Sequence, residues 1–449
     1  MTATTLSTRP AVHFAPARHW MNDPNGLVFL GGRYHLYFQH NPNGADWGDM
    51  SWGHASSTDL RTWTEHPVAL LHDEHEGVFS GSIVVDHANS SGFGSVDEPP
   101  LVALYTSARE RSQSQALAWS LDGGETWTKH GVVLDRGTTD FRDPKVIRYG
   151  DHWILAAVEA LDRQVHLFRS DDLLSWTPLS VFGPAGATDG IWECPDLFPL
   201  DGRWVLALSM NPGHPSGGSG MQYFVGDFDG TSFTATSWDW LDRGRDFYAG
   251  VTVSGSPEPV MIGWMSNWDY AHAVPTSPWR GSAALPRRLS LRGERLVQLP
   301  AAELHEPVSY RVGPQELGAI ELPEQACGRA LRLRLAVRSD SPVEIVLRGS
   351  EDGSHGPVVR LGGGVLSIDR RASGETGFSD AFASVSSAPL SGERLEIDVW
   401  VDATSVEVFA DGGALVLSEL VFPRDEDVSV RLRGEGAMLE WLEATVLEA

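Results

Sequence analysis

The 449-residue sequence predicts an all-β protein, a five-bladed β-propeller followed by a C-terminal β-sandwich. Three observations lead there. Short apolar runs such as VFL, YHLYF, SIVV, LVALY, WILAAV and WVLAL are punctuated by Gly, Asp and Pro, and no long helical periodicity is present. The first part of the chain repeats itself. The last part holds only Trp400 and Trp441 of the 17 Trp and shows alternating strands.

Residues 1–295 are assigned to the propeller. A Ser-Asp turn followed by Trp-Thr occurs as SSTDLRTWTEH (56–66), SLDGGETWTKH (120–130) and SDDLLSWTPL (170–179), with a weaker copy, DFDGTSFTAT (227–236). The aromatic positions Trp63, Trp127, Trp176 and Phe233 lie 64, 49 and 57 residues apart. A four-stranded antiparallel blade takes about 40–50 residues, so these spacings suit a propeller. Four copies plus the strands of 250–292 count five blades. A linker is expected over 296–311. The sandwich is expected over 312–449, from strands such as ALRLRLAV, VEIVLR, RLEIDVWVD and SVEVFAD.

A second repeat carries the chemistry. NDPNGLVFLGGRYHLYF, RDPKVIRYGDHWILAAV and ECPDLFPLDGRWVLALS share one plan. An acid (Asp23, Asp143, Glu193) is followed within two residues by proline, then a short strand, a turn, and an aromatic opening the next strand (Tyr34, Trp153, Trp204). From acid to aromatic the count is 11, 10 and 11 residues, so each acid holds the same place in its hairpin. If these hairpins are the inner strands, the three acids converge on the propeller axis. Three carboxylates in one pocket are not all comfortable as anions, so one holds a proton. A protonated acid that donates to a leaving oxygen, with an ionised one facing the anomeric carbon, is equipment for cleaving a glycosidic bond. Hairpin punctuation by Asp-Pro and calcium ligation by carboxylates are the competing readings. Proline beside each acid and Trp nearby fit a sugar pocket better.

The charge balance narrows the substrates. A formal net charge of −26 is opposite to what a nucleic-acid groove or an anionic membrane surface needs, and a neutral small-molecule sugar suits it better. The excess of Trp over Tyr, 17 against 8, fits sugar stacking and a Trp-rich β core equally. The two cysteines, Cys194 and Cys327, indicate no disulfide framework. No apolar stretch approaches a membrane span. MTATTLSTRPAVHFAP shows no signal-peptide pattern, so a cytoplasmic protein is expected.

In order along the chain, HFAPARHWMNDPNG, YFQHNPNGADWG, FSGS, FRDP and WECPDLF resemble the motif series of glycoside hydrolase family 32, the β-fructofuranosidases (invertases, inulinases and levanases). DFYAG, GWMSNWDYAHAVPTSPWRG, LPRRLSL and the later SVEVFADGG resemble it too. The resemblance implies a propeller plus sandwich, retention of configuration, and no metal or organic cofactor. It implies Asp23 as the nucleophile, Glu193 as general acid and then base, and Asp143 as the group that holds fructose hydroxyls and stabilises the transition state. Arg142 would add hydrogen bonds and keep a neighbouring acid ionised. Asn22 and Gln39 would bind the fructose, Trp47, Phe79 and Ser80 would close its subsite, and Trp264 or Trp268 would stack on a ring. Cys194 is read as packing that tunes Glu193.

LHDEHEG (71–77) reads as a solvated rim loop rather than a metal site, and HPSGGSG (214–220) as a mobile loop, with ATDG before Trp192 part of the same rim. The expected activity is exo-acting hydrolysis of terminal β-D-fructofuranosyl units from sucrose or inulin- or levan-type oligosaccharides. The alternatives are a fructosyltransferase using the same residues, a non-catalytic fructan-binding protein, and a glycosidase for another furanoside. Linkage preference is open, as is the choice between monomer and homodimer.

Overall fold

Among the described residues up to 300, twenty of the 21 strands form five antiparallel four-stranded blades, and in each the chain runs from the propeller axis outward. The computed structural model describes residues 9–302, 304–390 and 392–447; the first eight residues of the N-terminal segment read for a targeting signal lie outside the described residues. The first strands of the five blades are His19–Leu30, Gly77–Val85, Phe141–Tyr149, Ile191–Leu200 and Tyr248–Thr252. Each touches the first strand of the next blade, and the fifth touches the first, which closes the ring. A short strand, Trp279–Arg280, leaves the fifth blade and pairs in parallel with His19 and Trp20, bolting the ring shut.

The Ser-Asp/Trp repeat is the turn into the outermost strand of the first four blades. In the first, the Ser57 hydroxyl accepts the Leu60 N–H and the Asp59 carboxylate accepts the N–H groups of Arg61 and Thr62. Ser170 and Asp172 do the same for Leu173, Leu174 and Ser175. Short polar side chains replace backbone partners in these turns, so the motif recurs. The aromatic then packs against its own blade or its neighbour, as Trp127 does edge-on to Tyr37 at 5.8 Å. The fifth blade lacks the motif. Its last hairpin is the tight connection between Arg287–Arg292 and Arg295–Pro300.

That last strand moves the expected boundary. The linker predicted over 296–311 overlaps Arg295–Pro300 at one end and Tyr310–Val312 at the other. The described residues of the connection outside strands are therefore 301, 302 and 304–309. Beyond it an 11-stranded sheet folds on itself into a sandwich. Its spine is the 18-residue strand Ser429–Val446. The first half of this strand pairs with Val343–Gly349, and the second half with Leu331–Arg338. Alternating side chains such as Leu333, Leu335, Ile345, Ile397, Val399 and Leu432 fill the interior.

Propeller and sandwich meet through buried charge as well as apolar surface. Asp402 accepts the backbone N–H groups of Ala11 and Val12 at 2.8 and 2.9 Å. His13 bridges Asp402 and Glu407 at 2.8 and 2.9 Å. The fully buried Arg287 of the fifth blade reaches Glu407 at 2.7 Å and Asp242 at 2.9 Å.

Candidate active site

All five inner strands carry the same irregularity near the end where the acids lie. Met21 faces His40 and Pro24 faces Phe38, so three steps along the inner strand match two along its partner. The same offset separates Val78 from Gly81, Arg142 from Lys145, Glu193 from Asp196, and Tyr248 from Val251. Each is a β-bulge, which bends the strand and re-aims the side chains beside it. The bulges lie at Asn22-Asp23, Phe79-Ser80, Asp143-Pro144, Cys194-Pro195 and Ala249-Gly250. Three of them hold a non-glycine residue at positive φ: Asp143 at 62°, Cys194 at 47° and Ala249 at 50°. Such strain persists only where surrounding contacts impose it, and it gathers at functional sites. Pro144 and Pro195 fit because a bulge leaves ladder positions unpaired, so the missing N–H costs nothing there, whereas Pro24 stands one step past its bulge, opposite Phe38.

The bulges bring the three acids together. Asp23 receives the Ser80 hydroxyl on Oδ2 at 2.7 Å and the Asn22 amide on Oδ1 at 3.0 Å. Asn22 is itself fixed by the Trp20 indole N–H at 2.7 Å. Asp143 lies deeper, 6% exposed, and accepts the Cys194 backbone N–H at 2.9 Å. The Thr106 hydroxyl oxygen accepts the Asp143 N–H at 2.8 Å. Glu193 Oε1 receives Arg142 Nε and Nη2 at 3.2 and 3.1 Å, and its Oε2 receives the Tyr248 hydroxyl at 2.5 Å. Asp23 and Glu193 retain surface toward the mouth, whereas Asp143 and Cys194 form the floor.

Burial and mutual charge set the protonation. Burial pushes Asp23 up from 3.8 to about 6, helped by the Glu193 charge and opposed by the donors Ser80, Asn22 and Cys194. Burial raises Asp143 to about 7, with the Arg142 guanidinium pulling down and Glu193 and Asp23 pushing up. The Cys194 thiol is driven well above its ordinary value, first by burial and then by Asp143, Asp23 and Glu193, so it stays protonated. It sits 3.6 Å from Asp23 and 3.7 Å from Asp143. The expectation that Cys194 packs to tune Glu193 is corrected accordingly: its thiol is directed at the two aspartates. The Tyr248 phenol is also pushed well up, by burial and then by Glu193, and remains a donor.

The remaining candidates divide into wall and support. Trp47, 46% exposed, meets Phe79 edge-on at 5.8 Å on one rim. Beside them a pocket of about 310 Å³ is lined by Asp49, His72, Asp73, Arg109 and Gln113. Gln113 also accepts from Arg142 at 3.1 Å, so this pocket opens next to the acids. LHDEHEG forms part of that rim, with Glu76 turned inward to accept from Tyr105 and Lys129 at 3.0 and 2.9 Å. Gln39 is buried, and its amide donates to Val78 O at 3.0 Å, tying the first blade to the second. On the opposite side Trp268 lies over Trp264 with ring centroids 4.9 Å apart. Trp264 has no exposed surface, so of the two candidate stacking rings it backs the wall while Trp268 faces outward. The loop 214–220, expected to be mobile, is held in place. The Asn267 amide donates to Gly217 O and Ser219 O, and Ser216 donates to Arg243 O. A Cβ at Gly218 would meet the Asn267 side chain at 2.0 Å, so glycine there permits the close approach that a mobile loop would not need.

Among the described residues no group of three or more His, Cys, Asp or Glu is arranged to hold a metal ion. The three acids face hydrogen-bond donors instead. Two larger cavities lie elsewhere, one against the N-terminal segment and one at the far end of the propeller axis, and neither is lined by Asp23, Asp143 or Glu193. Sequence reasoning gave no role to Tyr248 or Thr106. Tyr248 had a signal, since it sits in DFYAG at the bulge of an inner strand. Thr106, inside LVALYTSAR, had none.

Comparison with known proteins supplies the context for this geometry. The chain is 41% identical to the levanase of Bacillus subtilis over 92% of its own length and 66% of the levanase. It is 38% identical to an extracellular exo-inulinase of Aspergillus niger, over 96% of this chain and 93% of that one. The solved structure of β-fructofuranosidase from Schwanniomyces occidentalis with fructosyl-erythritol superposes with a TM-score of 0.92 at 31% identity, covering 100% of both chains. The exo-inulinase is extracellular by name, so these relatives lend no support to a cytoplasmic location. The glycosyl hydrolases family 32 N-terminal domain matches residues 13–300 and the family's C-terminal domain residues 309–448. With three acids converging on one end of a five-bladed ring and a sandwich packed behind it, the chain belongs to glycoside hydrolase family 32.

Proposed function

We propose that this protein is an exo-acting β-fructofuranosidase that works by double displacement, with Asp23 as nucleophile and Glu193 as proton donor. The observation that carries the reading is the different setting of the two acids that keep some surface around one opening. Asp23 is held by small neutral donors that leave a carboxylate able to attack, and they counter the burial that would keep it protonated. Glu193 is gripped by Arg142 and Tyr248, donors that orient it toward a leaving oxygen. In this reading Asp143 accepts from sugar hydroxyls, supported by its position on the floor, where it is bonded to the Cys194 backbone.

In the first step a non-bonded electron pair of Asp23 forms a bond to the anomeric carbon of a terminal fructofuranosyl unit. The glycosidic C–O bond breaks, and its oxygen takes the proton from Glu193. In the second step water gives a proton to Glu193 and attacks the fructosyl ester, releasing fructose with retained configuration. The names of the relatives, levanase and exo-inulinase, support inulin- or levan-type chains as substrates.

The test is kinetic and covalent. Folded Asp23→Asn and Glu193→Gln variants should lose at least about 1,000-fold in kcat on sucrose and fructo-oligosaccharides. Glu193→Gln, given an activated aryl β-fructofuranoside and quenched in acid, should carry one fructosyl group on Asp23. Wild-type turnover in either variant, or an adduct on another residue, would sink the proposal. A profile rich in longer oligosaccharides at high sucrose would replace hydrolysis with transfer.

A further inference from the structure

Arg370 belongs to the sandwich, immediately after the strand Val365–Asp369, yet its guanidinium ends in the fifth blade of the propeller. Its Nη1 lies 2.5 Å from Asp246 Oδ2 and 2.8 Å from Glu419 Oε2. Its Nη2 donates to the Tyr270 hydroxyl at 2.9 Å, and that hydroxyl donates to Asp246 Oδ1 at 2.6 Å. Arg370, Asp246 and Glu419 are wholly buried, and Tyr270 is 2% exposed. The Phe382 ring covers the guanidinium at 4.0 Å, so water does not dilute these contacts.

Asp246 is thus held on both oxygens. The Leu420 backbone N–H adds a third bond at 2.8 Å, and Asp246 N–H returns one to Ser418 O at 3.0 Å. Two residues later Tyr248 opens the inner strand, and its hydroxyl donates to Glu193 at 2.5 Å. Tyr270 lies two residues past Trp268, the half-buried ring of the wall, and Asp269 between them pairs with Arg245 at 2.6 Å. One guanidinium from the second domain therefore anchors both the segment that carries Tyr248 and the segment that carries Trp268. A buried carboxylate cannot leave such a partner without a large desolvation penalty, so the anchor is stiff. A stiff anchor matters because displacing a catalytic group by about 1 Å costs up to about 100-fold in rate.

We propose that Arg370 is a positioning residue: through Asp246 it fixes Tyr248 against Glu193, so that the sandwich sets the geometry of proton donation in the propeller, an assignment that rests on Glu193 as proton donor. Tyr248→Phe defines the reference effect, a lower kcat and a moved alkaline limb of the kcat/KM profile. Folded Arg370→Lys should lower kcat about 10-fold with KM changed less than about 2-fold. It should move the alkaline limb in the same direction, and in the Tyr248→Phe background it should add little to either effect. Arg348→Lys, at a buried sandwich arginine that binds the carbonyls of Arg424 and Asp427, controls for destabilisation alone and should leave the limb in place. If Arg370→Lys does not fold, Tyr270→Phe carries the same prediction at about 3-fold, since it removes the hydroxyl between Arg370 and Asp246. A moved limb in Tyr248→Phe with wild-type kcat and limb in the Arg370 or Tyr270 variant overturns the role of Arg370 and spares the proton-donor assignment. An unmoved limb in Tyr248→Phe overturns both.

Discussion

As the proposed nucleophile, Asp23 has to be ionised to attack, and its burial resists that. Its pKa of about 6 reflects burial and the Glu193 charge working against the Ser80, Asn22 and Cys194 donors. Attack should therefore fade as pH falls through about 6. Ser80→Ala removes one of the donors that favour the carboxylate, so the Asp23 pKa rises further and the acid limb of kcat/KM moves to higher pH. A hydrogen bond to a charged group contributes about 1.5–3 kcal/mol, so a move of about one pH unit is expected. A pH–rate profile of the Ser80→Ala variant on sucrose checks it; an unmoved acid limb would show that Asp23 does not govern that limb. At this scale the sequence exposed much of the site. Acid, proline and aromatic recur at matched distances, and Asn22, Ser80 and Arg142 stand beside acids or within short motifs. Cys194's partners were not legible, because Asp23 and Asp143 lie 171 and 51 residues away in the chain and meet it only when the blades close.

The element that makes the site is the bulged inner strand. The second blade shows why it is specified so tightly. Gly81 closes the bulge that presents Ser80, and a Cβ there would lie 2.0 Å from Leu104 O and 2.7 Å from Tyr105 Cα. Its φ is not in the left-handed region, so the demand is steric. Gly81→Ala should separate the first two strands of that blade, destabilise the protein by about 2–4 kcal/mol, and draw Ser80 away from Asp23. Urea denaturation together with the acid limb of activity measures both effects; a stable variant with an unmoved limb would mean that the strand adjusts elsewhere. Three of the five bulges were readable because acid and proline mark them, but the acids do not hold the same place as expected: Asp23 is second in its bulge, Asp143 first, and Glu193 stands just before its own. The second and fifth, FSGS and YAGV, carry the same offset with different residues, and only strand pairing reveals the equivalence.

For the whole molecule, the join between propeller and sandwich is pH-sensitive. Burial alone would lower the pKa of His13, but hydrogen bonds and charges from Asp402 and Glu407 outweigh it and raise the value from 6.5 to about 9. A raised histidine contributes stability that is complete below 6.5 and is lost as pH rises through about 9. The melting temperature should thus fall by a few degrees between pH 7 and pH 10. In His13→Gln that fall should shrink, with a lower starting value, because the amide keeps a hydrogen bond and loses the charge. Calorimetry across that range tests it, and an equal slope in both proteins would remove His13 as the cause.

The sequence by itself determined the class, the blade count, the three acids and the order of the two domains. Each of these depends on local chemistry repeated along the chain: turn-forming Ser and Asp, aromatic spacing, and proline beside acid. Only the tertiary structure decided which acids keep a surface, that Trp264 is buried behind Trp268, that the 214–220 loop is pinned, and that Arg370 reaches into the fifth blade. Those features join residues far apart in the chain. Burial, strand register and interdomain charge pairing are set when the ring closes and the sandwich packs against it, and no short stretch of sequence carries them.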